Sequence, residues 1–260
     1  MAVSFRGVVW LGMTERRRRV VFRPFSFLYL ALLAFLYLTT VSMVMVFFRR
    51  LMVEGVGVPP EAFGVVMFVS LFGSFVNIPV TSVESRGPVV VEREVRLFWV
   101  RWRIPRVVVG VRRTLVSVNL GGAVVPVVIS LYLLLVSIPG RSPDVLLSYV
   151  RVAVVLVLVA YSVHRSARLV RGLGIATPAL GPPLVTALAV LLVDLVSPLA
   201  CPAQVAYVGG TLGTLVGADL LNLGRLPELG APVVSVGGAG TFDGIYLTGL
   251  VSVLLVLLLL

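Results

Sequence analysis

Two aspartates, Asp219 and Asp243, stand 24 residues apart in otherwise apolar surroundings. A carboxyl pair in a low-dielectric site cannot ionise twice at modest cost, so one member keeps its proton while the other is anionic. That state suits attack of water on a peptide carbonyl: the anion removes a proton from water and the acid protonates the carbonyl oxygen or the departing nitrogen. The same pair would serve as an ion or proton site, because carboxylates inside a bilayer mark such paths. Two structural roles compete with both readings. Asp243 can cap the helix it precedes, where backbone N–H groups favour an anion, and Asp219 can pair with Arg225 or another loop arginine. Asn77, Asn119, Asn222 and Thr241 are expected to supply hydrogen-bonding support to this pocket.

Other chemistries find less material. The lone Cys201 cannot form an intrachain disulfide, and no Cys/His group has metal-site spacing, so neither a metal nor a cofactor is expected. No Ser/His/Asp or Cys/His set is evident. Asp194 and Arg151 are expected to pair at the outer interface, and His164, beside Arg165 at a helix end, to be interfacial. A phosphate cradle in the glycine-rich run 236–241 is disfavoured, because Asp243 would put negative charge where the phosphate must sit.

The elements that would position these groups are membrane spans. The 260 residues are 59% hydrophobic and 13% charged, with a mean hydropathy of +1.09, which is the composition of a chain whose solvent is lipid. Apolar windows fall at about 25–48, 62–80, 115–136, 146–163, 183–198, 204–223 and 243–260, predicting an all-α membrane protein of about seven transmembrane helices. The net charge of +11 is carried by arginines lying between these windows, where they read as topology signals rather than a nucleic-acid surface. Eighteen of the 22 arginines fall on one side, which sets the N-terminus inside and the C-terminus outside. The apolar run after the Arg-rich residues 1–24 is too long for a signal-peptide core, so it is read as a retained helix. Residues 1–24 are then a cytoplasmic segment and 25–260 one polytopic domain of the cell membrane, with the lipid bilayer as its partner.

The one long loop, 81–114, is cytoplasmic in this topology. Val89-Val90-Val91-Glu92-Arg93-Glu94-Val95 and the following Phe98-Trp99-Val100-Arg101-Trp102-Arg103 predict a short β-hairpin. Tryptophans among arginines suit the headgroup layer. All three asparagines and both aspartates gather at the cytoplasmic depth, with Asn77 at the end of the second helix and Asn119 at the start of the third. A polar side chain facing lipid is costly, so a shared pocket is expected. On the sixth helix Gly209, Gly213 and Gly217 form a stripe that lets a neighbour approach, while Asp219 and Asn222 share another face. Gly244, Thr248 and Ser252 repeat the device on the seventh. A scaffold that binds a partner helix through these small-residue faces is the non-catalytic alternative.

Three stretches carry a resemblance: Val118-Asn119-Leu120-Gly121-Gly122, the run Gly213 to Leu223, and Gly237-Gly238-Ala239-Gly240-Thr241-Phe242-Asp243-Gly244-Ile245. In these the chain resembles an uncharacterised prokaryotic integral-membrane family, domain of unknown function 1614 (DUF1614), over most of residues 70–258. The resemblance implies a polytopic fold and brings no assigned activity. More distantly, the chain is similar to the intramembrane aspartyl proteases of the presenilin and prepilin-peptidase kind, whose second aspartate follows a Gly-x-Gly turn. Here Gly238-Ala239-Gly240 is separated from Asp243 by Thr241 and Phe242, and a Pro178-Ala179-Leu180 triplet precedes both aspartates instead of following them.

Overall fold

A computed structural model describes residues 27–97, 100–170, 174–228, 231–238 and 244–260. Two compact units are distinguished, residues 1–44 and residues 45–260. In the first, the described residues are helical throughout and exposed throughout, a Leu/Phe/Tyr-rich surface with no buried position. That helix, α1, spans Phe27–Arg50 and runs on as a π turn, Leu51–Val56, closed by Gly57 at φ 95°.

The second unit holds the other helices. They are α2 (Pro60–Gly73), α3 (Leu120–Arg141), α4 (Val145–Ser166), α5 (Gly181–Val196), α6 (Pro202–Thr214, extended by a π turn Leu215–Asp219 and a 3-10 stretch Leu220–Glu228) and α7 (Gly244–Leu259). Prolines in the first turns of α2, α5 and α6 start these helices where a missing N–H costs nothing. Asp144 caps α4 by accepting from Leu147 N at 3.0 Å. Hydroxyls inside the helices turn back on their own carbonyls: Ser130 on Pro126 at 2.8 Å and Thr186 on Pro182 at 2.8 Å. This satisfies a buried polar group where no water competes. Phe27–Val56, Leu120–Arg141 and Val145–Ser166 are long and apolar enough to cross a membrane; α2, α5 and α7 are shorter apolar helices.

Helix α6 is the centre of this unit. Eleven of the thirteen residues in Pro202–Thr214 are buried, and the core gathers around it from α3, α4, α5 and α7. A Cβ at Gly209 or Gly213 would strike Val155 or Val159, and one at Gly217 would strike the backbone of Ala160. The glycine stripe of α6 is therefore the seat of α4. Backbone approach of this kind is what small-residue stripes allow between helices in lipid.

The fold is mostly helical but not all-α. Strands β1 (Asn77–Leu97) and β2 (Val100–Asn119) form an antiparallel ribbon, and β5 (Val233–Val236) adds to β2 in parallel, in the order β1-β2-β5. A second small sheet pairs β3 (Arg168–Val170) with β4 (Gly174–Ala176). The expected hairpin over 81–114 is thus larger than its loop: it reaches back through Asn77 and forward through Asn119. This corrects two helix boundaries: the apolar windows 62–80 and 115–136 predict helix throughout, whereas residues 77–80 and 115–119 are strand. The physical reason is that Ile78-Pro79-Val80-Thr81 and Leu115-Val116-Ser117-Val118 are apolar enough to extend a span yet rich in β-branched residues. The second stretch also finds a strand partner, β5, over a hundred residues later. Pro79 sits at a shift of register and Pro88 on an edge strand, the places a sheet tolerates proline.

Candidate functional site

The ends of α2, α3 and α6 meet the base of the sheet. Asn119 ends β2 and caps α3, with its Oδ1 accepting from Gly122 N at 2.7 Å. Its Nδ2 donates to the carbonyl of Ser74 at 2.7 Å, just past α2, and to Asn77 Oδ1 at 3.1 Å, at the head of β1. One amide, 1% exposed, therefore ties three elements. Packing here is close: a Cβ on Gly121 would collide with the backbone of Ser70 and Ser74. Asn77 also accepts from Ser235 Oγ at 2.6 Å, which brings β5 into the same network.

Asp219 joins through the same strand. Its Oδ2 accepts from Gly237 N at 3.1 Å, two residues after Ser235. Gly237 and Gly238 both adopt positive φ, 83° and 81°, and a Cβ at Gly237 would meet Ala123 Cβ at 2.5 Å. Only glycine serves at Gly237, on conformation and on space alike. Among the described residues, Asp219 is hydrogen-bonded to this backbone N–H and not to Arg225.

Asn222 takes a different place. It is buried, and its Nδ2 donates to Gly217 O at 3.1 Å and Ala218 O at 2.9 Å, closing the end of α6. It also lies 3.3 Å from His164 Nδ1 on α4, while its Oδ1 is buried without a partner. The structure thus brings Asn77, Asn119 and Asp219 together around β5, and directs Asn222 toward α4. Asp243 and Thr241 lie outside the described residues.

At the other ends of the helices, Arg151 donates to Ser197 Oγ and Asp194 accepts from Leu199 N at 2.7 Å. The two expected partners each hold the α5–α6 connection instead of each other. Sequence reasoning passed over Gln204, which is 2% exposed and donates to Gly55 O at 3.2 Å and Val56 O at 2.9 Å, satisfying the carbonyls where α1 ends. Its signal was available, since it is the only glutamine in an apolar helix. Among the described residues, the hydroxyls of Tyr207, Thr211 and Thr214 on α6 are buried without hydrogen-bond partners, and the buried Tyr246 hydroxyl on α7 faces Ser70.

Long apolar helices, an apolar exposed surface and polar side chains drawn together at helix ends define a membrane-type helical protein carrying a sheet-braced polar site. The chain belongs to the family described as protein of unknown function (DUF1614), whose model matches residues 71–255. That match takes in the sheet, α3 to α6 and most of α7. No curated protein and no solved structure matches the chain.

Proposed function

We propose that this is a multi-pass protein of the cell membrane, with seven helices crossing from a cytoplasmic N-terminus. Asp219 and Asp243 form an acid–base pair at the cytoplasmic ends of α6 and α7, and the activity is hydrolysis of peptide bonds within the membrane. One observation carries this reading: the Asp219 carboxylate is bonded to Gly237, on the strand-and-turn segment that leads within six residues to Asp243. A carboxylate held by a backbone N–H, with no arginine partner among the described residues, keeps an oxygen for water or a second carboxyl group. Asn77 and Asn119 hold β1, β2 and β5 so that Gly237 is fixed, which makes them positioning residues. The short edge strand β5 offers a place where an extended peptide can pair through its backbone.

Ion- or proton-coupled solute transport is the second reading. The hydroxyls of Tyr207, Thr211, Thr214 and Tyr246 favour it, because they give the interior of the bundle a polar lining on α6 and α7. One experiment separates the two. Purified protein in liposomes is assayed for cleavage of incorporated transmembrane peptides and, in parallel, for uptake driven by a proton or cation gradient. Under the hydrolytic reading, Asp219→Asn and Asp243→Asn each reduce cleavage by about 10²–10⁴-fold, the worth of a positioned acid or base, with thermal unfolding unchanged. Gradient-driven uptake abolished by the same substitutions, with no cleavage, would replace hydrolysis by transport.

A further inference from the structure

Far from Asp219, a cleft of about 370 Å³ opens between the end of α1 and the end of α7, lined by Phe47, Arg50, Leu51, Glu54, Gly55, Leu254 and Leu257. Its volume is within the range of small-molecule sites. Its chemistry is divided. Phe47, Leu51, Leu254 and Leu257 supply an apolar wall, whereas Arg50 and Glu54 are exposed and four residues apart on one helix face. Neither charge is engaged by another charged side chain among the described residues. Gly55 sets the width of the cleft, since a Cβ there would stand 3.0 Å from Leu257 Cδ1.

We infer that this cleft binds a glycerophospholipid whose headgroup carries a phosphate and a primary ammonium. An acyl chain lies along the four apolar side chains. The Arg50 guanidinium takes the phosphate through paired N–H donors, and the Glu54 carboxylate takes the ammonium. A cation and an anion one helical turn apart complement a zwitterion better than a singly negative headgroup, which Glu54 repels. Arg49 and Arg50 close the α-helical part of α1, a position that snorkelling arginines occupy at the edge of the hydrocarbon layer. The inference rests on the membrane reading proposed above and is independent of the aspartates.

The test is native mass spectrometry of the full-length protein in detergent, titrated with phosphatidylethanolamine, phosphatidylcholine or phosphatidylglycerol. The expected order of retention is phosphatidylethanolamine first, and Arg50→Ala lowers it about tenfold, the loss of one charge-assisted contact. Glu54→Gln leaves binding in place but removes the preference over phosphatidylglycerol. Leu257→Trp, at a half-exposed site, fills the cleft and displaces all three lipids. Circular dichroism and a monodisperse elution profile confirm that each variant is folded. Retention unchanged in both Arg50→Ala and Leu257→Trp would overturn the site. Retention insensitive to headgroup but lost in Leu257→Trp would overturn the headgroup assignment and leave a purely apolar seat. Lipid retention does not depend on which way the chain crosses the membrane, so cysteine labelling from each side detects failure of the topology separately.

Discussion

Removing the Asn119 side chain should loosen the protein more than any other single polar truncation near the sheet. Asn119→Ala deletes three hydrogen bonds at once, to Ser74 O, Asn77 Oδ1 and Gly122 N. Gly122 is buried and Ser74 half-buried, so their backbone groups lose a partner with little water to replace it. Stranding such a group costs about 1–3 kcal/mol, and the lost helix cap is part of that figure. Asn77 is exposed, and water takes over its share. The sum is about 2–5 kcal/mol. Asn77→Ala should cost less, about 1 kcal/mol, because Asn119 keeps its bonds to Ser74 and Gly122 and the half-buried Ser235 hydroxyl can turn to water. Asn119→Asp keeps the cap acceptor but sets a carboxylate oxygen against the acceptors Ser74 O and Asn77 Oδ1 at a buried position, so it should cost at least as much as Asn119→Ala. Denaturation in mixed detergent followed by circular dichroism ranks the three variants. Equal stability of Asn119→Ala and Asn77→Ala would refute the claim that one buried amide braces α2, α3 and the sheet.

Further outcomes follow from the same packing. Gly217→Val should destabilise by roughly 2 kcal/mol or more through collision with the Ala160 backbone, whereas Gly224→Val, with nothing near its Cβ, should be close to neutral in the same denaturation assay. Gln204→Leu should cost about 2 kcal/mol by leaving the carbonyls of Gly55 and Val56 unpaired, read as a lowered unfolding midpoint. In a Cys201→Ala background, Arg106→Cys on the ribbon should react with an impermeant thiol reagent only after the membrane is opened, and Leu260→Cys should react from outside. The reverse pattern would invert the proposed topology.

The helices were legible because length and hydropathy already mark an apolar helix, and each of the seven apolar windows contains one, three of them long enough to cross a membrane. The α6 stripe was legible too: glycines four residues apart have one physical use in an apolar helix, and α4 lies on them. The extent of the ribbon was not legible. Residues 77–81 and 115–118 are as apolar as a helix end, and what makes them strand is pairing with each other and with β5, which no local window contains. Of the expected polar layer, Thr241 and Asp243 lie outside the described residues. Asn77, Asn119 and Asp219 do gather, but helical spacing gave no sign that Asn222 turns back onto the carbonyls of Gly217 and Ala218. The reason is the π turn Leu215–Asp219 and the 3-10 stretch Leu220–Glu228 that carries Asn222, since both change the angular step between residues from that of an α-helix.

The distance between the side chains at positions 219 and 243 tests the central proposal most directly. With Cys201→Ala as background, the double variant Asp219→Cys/Asp243→Cys is treated with a mild oxidant in the membrane, and spin labels at the same pair are measured in detergent. An acid–base pair sharing one water predicts rapid disulfide formation and a short inter-label distance. No cross-link, together with labels held well beyond about 20 Å, roughly the carboxyl separation of one bridging water plus two label arms, would remove Asp243 from the site and leave Asp219 as a bracing residue for the sheet.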